Sequence, residues 1–370
     1  MNDNDSPMIR IDRRRSPSDL VPAIDRLFAL SANKIRSVES TWRPEQGAPV
    51  FTVAGRYQAR GWTEWTQGFQ FGSAILQFDA TGEQEFLELG RSRTVDRMAP
   101  HLTHMGVHDH GFNNVSTYGN LWRLVREGRI TAGEWERRFY ELALKISGAV
   151  QARRWTRRPN GGGYIHSFNG AHSLFVDTMR SLRALALGHV LGQPLLEEQD
   201  ERIDLLQRVV HHARATAQYN VYYGEGRDRF DVRGRVAHES LFNVANGTFR
   251  GPSTQQGYSP FSTWTRGLAW AMLGFAEQLE FLDSLPDSAL QAVGARGDIE
   301  PTMLEAARAT CDHYIAVAAA DGVPYWAMGP LASRRGTMAA IGRPIPSTIA
   351  SRLTVRRPRS VPRVSCGSRM

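Results

Sequence analysis

Apolar residues recur along most of the chain at intervals of three and four, the period of an amphipathic helix. In DLVPAIDRLFALSANKI, after Pro17 and Ser18, the recurring positions are Leu20, Ile24, Leu27 and Leu30. The same period predicts helices over 66–90, 113–127, 132–152, 170–191, 196–218, 262–283 and 299–319. Thr131 stands three residues before Glu134, the spacing of a capping box. Asn169-Gly170 precedes the apolar run around Asp177, and Gly128 and Gly192 suit helix ends. Two stretches break the pattern. RRPNGGGYIHSF at 157–168 predicts a glycine-rich loop, and 219–250, with NVYYGEG and FDVRGRV, predicts an irregular hairpin. Long loops in a helical domain tend to carry function. The succession of helices predicts an all-α ring or stack of helical hairpins.

Composition narrows the class. The net charge of +8 invites a nucleic-acid reading, but nine arginines and no acid or lysine lie beyond Asp321, which leaves residues 1–321 at −1. The basicity belongs to a tail, so no nucleic-acid partner is expected. That tail, residues 331–370, is rich in Arg, Pro and Ser. Its composition predicts either disorder or the product of GC-rich coding sequence read out of frame. Residues 1–330 are then the expected folded domain. Cys311 and Cys366 have no metal-ligand spacing and make no disulfide framework. The polar start lacks a signal-peptide core, and no run reaches the ~18 apolar residues of a membrane span. A cytoplasmic protein without a membrane partner is the expectation.

Four elements offer chemistry. In VHDHGF, His108, Asp109 and His110 are consecutive, so on a helix they diverge and do not chelate one metal. Asp109 reads either as a functional acid at a helix mouth or as a side-chain N-cap. In SLFVDTMRSL, the apolar neighbours of Asp177 make burial costly and would raise its pKa, as a general acid at neutral pH requires. The alternative is an Asp bonded to a helix terminus or to Arg180. In STWTRGLAWAMLGF, Trp264, Arg266 and Trp270 combine aromatic faces for a sugar ring with a guanidinium fork for a carboxylate. Core tryptophans and a surface arginine would look the same. In GWTEWTQGFQFG, Trp62, Trp65, Phe69 and Phe71 cluster, and the later loop adds His238 and Gln255-Gln256, partners for sugar hydroxyls.

The order WTQGFQFG, VHDHGF, SFNGAHSLFVDTMRSL, QGYSPFSTWTRGLAWAMLGF and VPYWAMGP resembles glycoside hydrolase family 88, the unsaturated glucuronyl hydrolases, over about residues 55–330. The resemblance implies an (α/α)6 barrel, here with its last helices missing or replaced. It implies release of a terminal 4,5-unsaturated glucuronic acid from lyase-generated oligosaccharides. The route is vinyl-ether hydration, outside the two-carboxylate schemes of ordinary glycosidases. Asp177 would be the acid/base and Asp109 the second essential aspartate. His238, Gln256, Trp264, Arg266 and Trp270 would line the sugar subsite, with Trp65, or alternatively Trp62, stacking on it. No metal or other cofactor is implied. The partner is an unsaturated uronic-acid oligosaccharide, and the protein a monomer or homodimer. Related unsaturated rhamnogalacturonyl or galacturonyl hydrolases, or an inactive truncated relic that only binds sugar, are the alternatives.

Overall fold

The structure, a computed structural model, describes residues 14–59, 64–159, 161–319 and 321–329. Trp62, Cys366 and the 331–370 tail, with the reading of it as disordered or frameshifted, lie outside the described residues. The helices are α1 (Val21–Thr41), α2 (Gln67–Thr81), α3 (Gln84–Arg97), α4 (Ala99–Leu102), α5 (His110–Asn113), α6 (Asn120–Arg126), α7 (Glu134–Arg153), α8 (Thr178–Ser181), α9 (Arg183–Val190), α10 (Leu205–Tyr219), α11 (Thr265–Asp283), α12 (Asp287–Leu290) and α13 (Arg296–Val317). The strands are short: β1 (Pro49–Val53), β2 (Arg56–Ala59), β3 (Trp155–Arg157), β4 (Gly163–Ile165), β5 (Ser173–Phe175), β6 (Leu195–Leu196), β7 (Arg202–Ile203), β8 (Glu239–Phe242), β9 (Phe249–Ser253), β10 (Thr263–Trp264) and β11 (Ala327–Met328). They form two-stranded ribbons and one three-stranded sheet, β5-β8-β9. The architecture is mainly helical.

The long helices follow their apolar period. On α7 the buried row is Tyr140, Ala143, Leu144, Ser147, Gly148 and Gln151. On α11 it includes Leu268, Ala271, Met272, Phe275 and Leu282. Helices pair in succession, α2 with α3, α7 with α9, α9 with α10 and α11 with α13. One core gathers Met179, Leu182, Val209, Leu268, Phe275 and Met303. A second gathers Phe71, Ile75, Phe86, Tyr118, Leu121 and Leu144. Helix α5 contacts α2, α7 and α8, and so lies where the two cores adjoin.

Several boundaries differ from the sequence expectation. The 66–90 helix breaks at Gly82, whose φ of 75° ends α2 in the left-handed region that glycine enters freely. The 113–127 helix opens with a π-helical turn at Val115–Gly119. No capping box forms at Thr131, because Gly133 is the N-cap of α7 and the start has no side-chain cap. Residues 170–177 are not helical: Gly170 leads into a strand, and the helix starts only after Asp177. A β6–β7 ribbon takes the start of the expected 196–218 helix, and α10 begins at Leu205 with Asp204 accepting the Leu206 N–H at 2.9 Å. Gly128 and Gly192 do end helices, with φ of 67° and 73°. The 157–168 loop is the turn of the β3–β4 ribbon, and β8–β9 is the hairpin that 219–250 anticipated in part. On α1, the row Leu20, Ile24, Leu27 and Leu30 remains between 44% and 53% exposed, while Ser31 and Ala32 face inward.

Candidate active site

The two aspartates stand in equivalent places. Each is the residue before a one-turn helix, Asp109 before α5 and Asp177 before α8. Neither uses its side chain as a cap. At Asp109 the backbone carbonyl accepts the N–H groups of Phe112 and Asn113 at 2.9 and 3.1 Å. The N-cap alternative for its carboxyl is therefore not realised. Arg180, the partner considered for Asp177, pairs with Glu277 at 3.2 Å instead. Both carboxyls are freed from local duties and both are buried.

The two helices meet at a glycine. Gly111 donates its N–H to Ser181 Oγ at 2.8 Å, and a Cβ on Gly111 would lie 2.5 Å from Ser181 Cα. Such a distance is closed to any larger residue. The contact joins the segment of Asp109, two residues before Gly111, to that of Asp177, four before Ser181, and the charge of Asp177 is felt at Asp109. Of the three consecutive side chains only His110 diverges, since His108 Nε2 stays 3.9 Å from Asp109 Oδ1. His108 packs against the rings of Phe168 and Phe175, at 5.8 and 5.4 Å, and these touch each other at 5.3 Å. His110 turns away, with Nδ1 3.1 Å from Ser147 Oγ and Nε2 3.0 Å from the His104 carbonyl.

Strand pairing supplies His238. Strand β5 runs antiparallel to β8, and Val176 donates its N–H to the His238 carbonyl at 3.0 Å. His238 Nδ1 accepts the backbone N–H of Gln255 at 3.1 Å, so the ring proton of the neutral imidazole sits on Nε2. That nitrogen is 3.5 Å from Asp177 Oδ1. Phe175 and Trp264 pack against the ring, at 4.4 and 4.8 Å.

One wall is aromatic. Trp65, Phe69, Phe112 and Trp270 form a continuous cluster: Trp65–Phe112 5.8 Å, Phe69–Trp270 6.4 Å, Phe112–Trp270 4.9 Å. Arg266, on the first turn of α11, lies over Trp65 and Trp264 at 5.1 and 4.6 Å, and donates to Gln256 Oε1 at 2.5 Å. Trp65, Gln256, Trp264, Arg266 and Trp270 thus join His238, Asp109 and Asp177 in one connected constellation. Phe112, Phe175 and Phe168 belong to it too. Sequence reasoning left them out because a phenylalanine in an apolar run has no signature beyond core.

The electrostatics divide the pair. Burial, with Asp177 adding negative charge, pushes Asp109 up to about 7, against the pull of Arg154. Burial also pushes Asp177 up, but His238 at 3.5 Å, with His108 nearby, outweighs it and holds Asp177 below the usual carboxylate range. The expectation that desolvation would leave Asp177 the elevated acid is therefore corrected. Burial and the charge of Asp177 favour the protonated form of Asp109, while His238 Nε2 at 3.5 Å favours the ionised form of Asp177.

Comparison with known proteins adds to this geometry. No family model matches the chain. It is 26% identical over 286 residues to the unsaturated glucuronyl hydrolase of Bacillus sp. (strain GL1), covering 74% of this chain and 62% of that protein. It is 22% identical over 321 residues to the unsaturated chondroitin disaccharide hydrolase of Streptococcus pyogenes serotype M1, covering 84% and 67%. The crystal structure of the Bacillus sp. GL1 unsaturated glucuronyl hydrolase superposes with a TM-score of 0.61 at 23% identity, over 82% of this chain and 70% of that one. A heparin-specific unsaturated glucuronyl hydrolase gives 0.62 at 16%, over 81% and 70%. The chain has the fold of the unsaturated glucuronyl hydrolases. It spans 62% of the length of the first of these curated relatives. Within that fold, the two aspartates immediately precede the one-turn helices α5 and α8, and no helix among the described residues is long and apolar enough to cross a membrane.

Proposed function

We propose that the chain is a glycosidase that releases terminal 4,5-unsaturated glucuronic acid from lyase-generated oligosaccharides, acting as a cytoplasmic monomer or homodimer with residues 1–330 as its catalytic unit. The observation that carries this reading is the buried Asp109–Asp177 pair, with His238 on Asp177 and an Arg266–tryptophan wall beside it. An aromatic wall takes the apolar face of a sugar ring, and a guanidinium stacked on that wall takes a uronate. In the free site burial favours the protonated form of Asp109. When substrate hydroxyls hydrogen-bond Asp109 and favour its ionised form, that proton passes to Asp177, beside the uronate's added negative charge.

Asp177 then protonates carbon 4 of the enol ether, and the positive charge develops on carbon 5 and the ring oxygen. Water adds to carbon 5 and returns a proton to Asp177. The carbon-5 hemiketal opens to a ketone, carbon 1 becomes a hemiacetal, and that hemiacetal collapses to a carbon-1 aldehyde as the aglycone leaves with its glycosidic oxygen protonated. Each step needs one positioned acid/base and no direct displacement at the anomeric carbon.

The test follows the ultraviolet absorbance of the conjugated uronate as unsaturated disaccharides are consumed. Glucuronyl substrates should lose it, and Asp177→Asn should slow the loss by roughly a hundredfold or more. Faster consumption of galacturonyl substrates would move the assignment to the pectin-fragment enzymes. No consumption of either kind, with sugar still bound, would mark a binding relic.

A further inference from the structure

Arg154 follows the last residue of α7, outside every element that the sequence marked for chemistry. Its Nε donates to the His166 carbonyl at 3.2 Å, one Nη to the Ser167 carbonyl at 2.6 Å, and the other Nη to the Met105 carbonyl. Its own carbonyl accepts the His166 N–H at 2.9 Å. Met105 belongs to the loop that leads into Asp109. His166 and Ser167 belong to the segment that leads through β5 to Asp177, and Ser167 is tied onward to Ser173, with its N–H on the Ser173 carbonyl at 2.9 Å. One guanidinium thus staples the two approaches to the aspartate pair. An arginine suits this because its planar fork presents donors in several directions at once.

We propose that Arg154 is a positioning residue for this reaction, stapling the Asp109 and Asp177 loops together and supplying the fixed positive charge against which Asp109 is set. The inference rests on the proposed function, but its titration does not. The groups that act on Asp109 are Asp177 before α8 and Arg154, with His108 Nε2 at 3.9 Å in its own loop and His166 and His238 next to His108. His108 and His166 are held neutral by burial, both lowered to about 4, and Asp177 is negative. Arg154 is the permanent cation whose charge pulls Asp109 down against burial.

The experiment compares Arg154→Gln and Arg154→Lys with the wild type. The Asp109 carboxyl is titrated by ¹³C NMR in the unliganded full chain, with Asp109→Asn to assign its signal. Gln keeps amide donors and drops the charge; Lys keeps the charge and cannot reach three carbonyls. The Asp109 midpoint should rise by roughly one unit in Arg154→Gln and stay with the wild type in Arg154→Lys. Turnover should fall in both, with kcat affected more than KM. An unchanged midpoint in Arg154→Gln, or a rise in Arg154→Lys as well, overturns the proposal. Should Arg154→Gln fail to fold, the Lys variant still decides, because a displaced midpoint or an undiminished kcat there contradicts it. A wild type without any turnover sinks the proposed function and leaves the titration to judge Arg154.

Discussion

His238 turns Nε2 toward Asp177 Oδ1 at 3.5 Å because its Nδ1 is already held by the backbone of the loop at Gln255. The tautomer is settled by a main-chain N–H, so the donor facing the carboxylate survives changes in the rest of the wall. Hydrogen bonds to charged groups contribute about 1.5–3 kcal/mol. His238→Phe keeps the aromatic stack and loses the donor. It should lower kcat/KM by roughly tenfold to a hundredfold, and move the acid limb of the pH–rate profile upward as Asp177 loses its partner. A profile that keeps its limb would separate His238 from the charge of Asp177.

The Asp109 carboxyl carries a stability signature. Its folded pKa of about 7 lies above the ordinary 3.8, so the folded state retains a proton that the unfolded chain has released. Stability on this account is intact below pH ~4, falls between pH ~4 and ~7, and remains lowered above that window. The full effect is on the order of a few kcal/mol. Asp109→Asn, which cannot ionise, should therefore melt higher than the wild type at pH 8 and equal to it near pH 4, while losing turnover. Thermal unfolding across that range checks this, and equal melting at both ends would remove Asp109 as the elevated group.

Gly111 allows the two one-turn helices to touch. A methyl at this position meets the Ser181 backbone at 2.5 Å, and backbone does not swing aside as a side-chain end would. Gly111→Ala should destabilise by about 1–3 kcal/mol, and should reduce turnover more than substrate binding because it moves Asp109 relative to Asp177. Denaturant unfolding and steady-state kinetics on the one variant give both numbers. Retained stability together with retained kcat would mean that the contact is looser than described.

Arg266 is held on two tryptophans and by Gln256. Arg266→Lys keeps the charge but loses the flat stack and the fork. KM for a uronate-terminated disaccharide should rise by roughly tenfold, from about 1.4 kcal/mol of lost binding, with kcat changed less. A reversed split would place Arg266 in the transition state instead of on the carboxylate.

Local patterning determined much of this protein. The three-and-four spacing of apolar residues in α7, α11 and α13, and the glycines that end α2, α6 and α9, are readable because helix formation answers to neighbours within a turn or two. The chemistry-bearing residues were also legible as types: a single acid in each of two short motifs, and tryptophans beside an arginine. Their convergence was not. Residues 173–175 read as helix from their apolar run, but they pair with Glu239–Phe242, a partner more than sixty residues away that no window in the sequence contains. That pairing makes Asp177 the residue before a helix instead of one inside it, and it delivers His238. Which aspartate holds the proton was decided only in three dimensions, since both are buried and the difference lies in what faces each one. Arg154 had no signature in the sequence, because an arginine that serves by bonding distant carbonyls looks like any surface charge until the loops it joins are in place.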